Sequence, residues 1–89
     1  MRKHIKITLG GKIQRQGFRF YAVKKAYEIG VTGNVGWDDD GALILHIEGT
    51  QIQLDKFIAW CKAGPPGAKV TDISTEELPL DNFTSFEMR

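Results

Sequence analysis

The 89 residues, 42% apolar, 10% aromatic and 26% charged, suffice for one small globular core and leave no room for a second. The longest purely apolar run, Phe57 to Cys61, falls far short of the roughly 20 residues that a membrane span needs. The net charge of +1 hides a split: residues 1–27 carry eight bases and no acid, and residues 28–89 carry all eleven acids against four bases.

Lys3–Leu9 alternates, with Ile5, Ile7 and Leu9 on one face, and this predicts a half-buried strand. Gly10-Gly11 interrupts it, and Lys12–Gly17 reads as a polar loop. From Phe18 the period changes. Phe18, Ala22, Ala26 and Ile29 follow helical spacing, and Gly30 stands where a C-cap glycine belongs. Val31–Trp37 and Ala42–Glu48 are two strands joined through Asp38-Asp39-Asp40-Gly41, a hairpin signal. Gly49-Thr50 opens a second helix. Thr50 and Gln53 form a capping box, and Leu54, Phe57, Ile58 and Cys61 form its apolar stripe. Gly64-Pro65-Pro66-Gly67 ends that helix. A fourth strand runs from Val70 to about Glu77. After the connection Leu78–Asp81 comes a final strand, Phe83–Met88, with Phe86 and Met88 facing inward.

The order is βαββαβ with a short last strand. It implies an α+β, ferredoxin-like sandwich: an antiparallel sheet with two helices on one face, spanning residues 1–89 as a single domain. No apolar stretch follows the N-terminal charges, so no signal peptide is expected. A lone cysteine excludes a disulfide framework and suits a reducing compartment. A soluble, cytoplasmic, monomeric domain without membrane contact is the expectation.

The basic first third often marks an anion site, the plain alternative being solvated charges on several faces. Its loop, Gly11 to Arg19, joins a strand to a helix N-terminus. There unpaired N–H groups and the helix dipole favour negative charge, and Arg19 adds a bidentate partner for phosphate or carboxylate. Taken on its own, such a loop is a weak signal. Other candidates read as structural. His4 and His46 are surface histidines without ligand spacing, Cys61 is a small core residue, and Asp38-Asp39-Asp40 is a charged turn. Trp60 is partly packed.

The loop and its helix resemble the acylphosphatase family. That family's signature runs Gly-x-Val-Gln-Gly-Val-Gly-Phe-Arg, and Gly11, Gln14, Gly17, Phe18 and Arg19 match it. Further matches are Ala26, Gly30, Val31 and Gly33, then Asp40-Gly41, Glu48-Gly49, Gly64-Pro65-Pro66 with Ala68 and Val70, and the closing Phe86-Glu87-Met88-Arg89. The resemblance spans nearly the whole chain. It implies hydrolysis of a carboxyl-phosphate bond without metal or cofactor, on a small-molecule acyl phosphate, with inorganic phosphate as the other expected ligand. Arg19 and the amides of Gln14, Arg15, Gln16, Gly17, Phe18 and Arg19 would then cradle the phosphoryl group.

Two positions depart from the family. Its second strand reads Gly-Trp-Val-x-Asn, whereas this one reads Gly33-Asn34-Val35-Gly36-Trp37. Trp37 thus occupies the place of the family's water-positioning asparagine, and indole offers a donor but no acceptor. Asn34 points to the opposite sheet face unless a bulge at Gly36 re-aims it. Arg15 replaces a loop glycine, either as a second phosphate ligand, as an occupant of the anion site, or as a solvated side chain.

The resemblance therefore implies an acylphosphatase weakened at its water site. The alternative is a non-catalytic anion-binding or regulatory domain on the same fold. Gly17-Phe18-Arg19-Phe20 also resembles part of the aromatic motif of RNA-recognition domains. That motif belongs on a third strand, and here the third strand has no aromatic residue, so no nucleic-acid partner is expected.

Overall fold

A computed structural model describes residues 1–14 and 17–89. Five strands and two helices follow in the order β1 (Lys3–Lys12), α1 (Phe18–Ile29), β2 (Thr32–Trp37), β3 (Leu43–Gly49), α2 (Gln51–Ala63), β4 (Lys69–Leu78) and β5 (Phe86–Met88). The sheet order is β4-β1-β3-β2-β5, which puts β3 at the centre. Ile7 and Leu9 of β1, Val35 of β2 and Leu43, Leu45 and Ile47 of β3 meet Phe18, Ala22 and Ala26 of α1 and Leu54, Phe57 and Cys61 of α2 in one core. The alternation along each strand and the helical stripes thus meet between sheet and helices, as the ferredoxin-like reading requires.

The helix ends differ. Thr50 caps α2 by accepting the Gln53 N–H, while Gln53 Oε1 accepts the Thr50 N–H. At the start of α1 there is only Gly17, with no side-chain cap and no acid in the first turn. Burial pushes the Cys61 thiol pKa up, which keeps it an inert core group.

Several expectations need correction. β1 does not stop at Gly10 but continues through an irregularity at Gly10/Gly11 to Lys12, paired with Lys69 of β4. The sheet is not wholly antiparallel, because β5 runs parallel to β2. β5 is also short: Phe83 to Ser85 do not pair as strand, and residues 79–85 instead form a strap over the sheet face away from the helices. Met88 is 46% exposed rather than inward, since it lies at the sheet edge where α1 begins, whereas Phe86 is covered.

The strap also overturns the surface assignment of His4, with His46 half-buried beside it. His4 is buried, its Nδ1 donates to the Pro79 carbonyl at 2.9 Å, and its Nε2 lies 2.9 Å from His46 Nδ1. A carbonyl only accepts, so His4 Nδ1 carries a proton and a single hydrogen lies between the two rings. Beside them the buried Glu48 carboxylate accepts the N–H groups of Asp81 at 2.5 Å, Phe83 at 2.9 Å and Asn82 at 3.2 Å. Phe83 stacks edge-on against His4. The sequence shows these residues as polar positions on alternating strands; only the returning strap removes them from water.

Burial alone would raise the Glu48 pKa, but the three strap N–H groups and His4 together bring it below 4.5. The His46 pKa is lowered by burial, then by His4, Arg89 and Lys6, against an opposing pull from Asp81. Both shifts have the same sign for stability: the folded state binds fewer protons than the unfolded chain, so acid weakens it. His46 contributes its loss as pH falls below about 6.5, and Glu48 as pH falls below about 4.5. Glu48→Gln, which leaves strap donors unpaired, should cost about 2–3 kcal/mol at pH 7. Urea denaturation at pH 7 and pH 4 should show the variant with a shallower pH dependence; an unchanged slope would remove Glu48 as the acid-sensitive group.

Candidate active site

The N-terminal turn of α1 gathers several of the residues singled out in the sequence. Gly17 takes a left-handed conformation, φ 67°, and lets the chain turn sharply from the loop into the helix. The first helical N–H groups, at Phe18, Arg19 and Phe20, have no partner within an α-helix, and the dipole adds partial positive charge. Arg19 stands in this turn. Its Nη1 donates to the main-chain oxygen of Arg89 at 2.7 Å, which ties the guanidinium to the end of β5 and leaves its other donors free of that contact. Arg89 is itself held by donating its N–H to Val35 at 2.7 Å.

Gly17, Phe18, Arg19, Phe20, Trp37 and Met88 line one cleft of about 190 Å³. Of the residues singled out in the sequence, Gly17, Phe18, Arg19 and Trp37 are therefore brought together. Phe18 contributes backbone only, because its ring is buried edge-on against Trp60, with centroids 5.4 Å apart. Gln14 faces the β2–β3 turn, where it lines an adjoining hollow with Trp37, Asp38, Asp39 and Gly41. Arg15 and Gln16 lie outside the described residues.

Trp37 ends β2 on the same face as Val35, packed against the core, and borders both hollows. The β2–β3 register runs unbroken from Thr32↔Glu48 to Trp37↔Leu43. No bulge re-aims Asn34. It faces the strap side, in a hollow with Gly33, Asp81, Phe83, Ser85 and Arg89, and it does not line the Arg19 cleft. Gly36 instead makes room for Arg89, whose side chain a Cβ at Gly36 would meet at 3.0 Å. A further concavity, at β1 and β4, has Thr8, Thr71, Asp72 and Ser74 but no base on its walls.

The sequence reading missed Phe20, Met88 and the Arg89 oxygen. Phe20 adjoins the motif and was legible as a neighbour of Arg19. Met88 and Arg89 reach the site only through the parallel pairing of β5 with β2, which no local pattern announces. Gly17→Ala tests the turn. Among the described residues its new Cβ would meet only the Tyr21 ring, at 3.8 Å, so the cost is conformational, about 1 kcal/mol, and a fall in Tm of about 4–8 °C is expected by calorimetry.

Comparison with known proteins agrees over the whole fold. A family model described as Acylphosphatase matches residues 5–88. The acylphosphatase of Synechococcus sp. (strain CC9605) is 37% identical over 79 residues, covering 89% of this chain and 95% of that one. The crystal structure of the Bacillus subtilis acylphosphatase superposes with a TM-score of 0.94 at 32% identity, covering 100% of this chain and 99% of that one. An acylphosphatase structure from Coxiella burnetii gives 0.94 at 31% identity, covering 99% and 93%.

Proposed function

The chain belongs to the acylphosphatase family, and on that premise we propose how it hydrolyses the carboxyl-phosphate bond of acyl phosphates: Arg19 and the first amides of α1 hold the phosphoryl group, and Trp37 borders the path of the attacking water. The observation that carries this reading is the meeting of Arg19 with an uncapped helix start in one cleft. In the reaction water attacks phosphorus, the P–O bond to the acyl group breaks, and carboxylate and phosphate leave with a proton released to solvent. Carboxylate is a weak base and departs without a general acid. The protein must therefore supply position and positive charge more than covalent chemistry.

A phosphoryl group at the α1 N-terminus would receive backbone N–H groups aimed outward by the helix and a planar fork from Arg19. The Arg89 main-chain oxygen orients that fork. Trp37 offers the water one N–H and no acceptor, so an acceptor that turns the water's lone pair toward phosphorus has to come from another residue. The site is thereby weakened at water activation rather than at phosphate binding.

Gln14, Arg15 and Gln16 would complete the cradle from the loop. A small soluble monomer working in the cytoplasm on a diffusible acyl phosphate fits the charge split and the lone buried cysteine. Among the described residues no helix is long and apolar enough to cross a membrane. The test is hydrolysis of benzoyl phosphate by the purified protein, with inorganic phosphate as a competitive inhibitor. Turnover insensitive to millimolar phosphate would argue against a phosphate cradle.

A further inference from the structure

We propose that Phe20, Trp37 and Met88 form an acyl-binding subsite beside Arg19, which selects aromatic and other bulky apolar acyl phosphates over small or anionic ones. The inference rests on the hydrolytic reading above and names the substrate class of that same site. Phe20 follows Arg19 in the chain and is 62% exposed, and Met88 precedes Arg89 and is 46% exposed. Each touches the cleft that holds Arg19, and Trp37 closes it from β2. A scattered exposed apolar residue needs no explanation, but three converging on one charged anchor form a built surface.

The geometry orders the ligand. Phosphate belongs at the helix amides and the free side of the guanidinium, so the acyl group attached to it must lie along the remaining walls, which are the two aromatic rings and the thioether. The cleft of about 190 Å³ takes in the helix start and Arg19 as well as these walls, so it houses the phosphoryl and acyl groups together. Phe20 is steadied edge-on by Tyr21, with centroids 5.8 Å apart, and Met88 adapts to the ring edge. On the other side of Trp37 the hollow is lined by Asp38 and Asp39, whose charge repels an acyl group that carries its own carboxylate.

The test compares kcat/KM for acetyl, benzoyl and 4-carboxybenzoyl phosphate, each divided by the spontaneous hydrolysis rate of the same compound. The wild-type protein should prefer benzoyl to acetyl by about tenfold or more and disfavour the 4-carboxy compound against benzoyl. Phe20→Ala and Met88→Ala should each reduce the benzoyl-to-acetyl ratio several-fold, chiefly through KM, with an unchanged circular dichroism spectrum. Acetyl phosphate turnover with a wild-type ratio near one, or a ratio unmoved by both substitutions, overturns the subsite while leaving the hydrolytic reading intact. Turnover of none of the three compounds would overturn both.

Discussion

Arg19→Ala should bring hydrolysis of benzoyl phosphate down to the spontaneous rate, a loss of about 10³ or more in kcat/KM. The size of the effect follows from what the reaction asks of the protein. With a reactive anhydride and a good leaving group, little remains except holding the phosphoryl group and balancing its charge. Among the described residues Arg19 is the one guanidinium lining the cleft, and it is fixed in place by the Arg89 oxygen at 2.7 Å. Arg19→Lys should recover only a small part of the loss, because an ammonium is a point charge without the planar fork. Steady-state assays of both variants against wild type decide the matter. Activity that survives Arg19→Ala would mean that the phosphate is held elsewhere, and would move the anchor to another base of residues 1–27.

Trp37→Asn should raise kcat by about 10², the scale of one preorganised group in an active site, here borrowed for the water-positioning carboxamide. The same substitution removes a wall of the proposed acyl subsite, so KM for benzoyl phosphate should rise as well. A split of this kind, faster turnover with weaker binding, separates restored water activation from a general change in the site. Trp37 also packs partly against the core, and its loss should lower Tm by several degrees. The kinetic constants are therefore to be read at a temperature where the variant is folded. An unchanged kcat would mean that the water is oriented by some other group.

The strap connects these effects to the rest of the molecule. Residues 79–85 pass over His4 and Glu48 and lead directly into β5, whose end holds Arg19. Loss of the Glu48 contacts in acid would therefore loosen the element that positions the guanidinium as well as the fold.

Most of the architecture was legible in the chain. Period-two and period-3.6 patterns are local and repeat, so strands, helices, the capping box at Thr50 and the glycine end of α1 could be read without a structure. Arg19 could be singled out at the start of α1 because the glycines and the arginine sit in a short contiguous motif. The face of Asn34 was legible too, since strand alternation holds wherever the register is unbroken, and it is unbroken here.

What the sequence could not supply depends on contacts between distant segments. A histidine at a polar strand position reads as exposed, yet His4 is buried because a segment some 75 residues later folds across it. Met88 matches an inward pattern, yet it lies on the cleft rim because β5 joins the sheet edge in parallel with β2, beside the start of α1. Spacing along the chain decides which residues share a face, because backbone geometry is set locally. Which faces are then covered, and which side chains gather around Arg19, is decided by long-range pairing and burial, and those exist only in the folded chain.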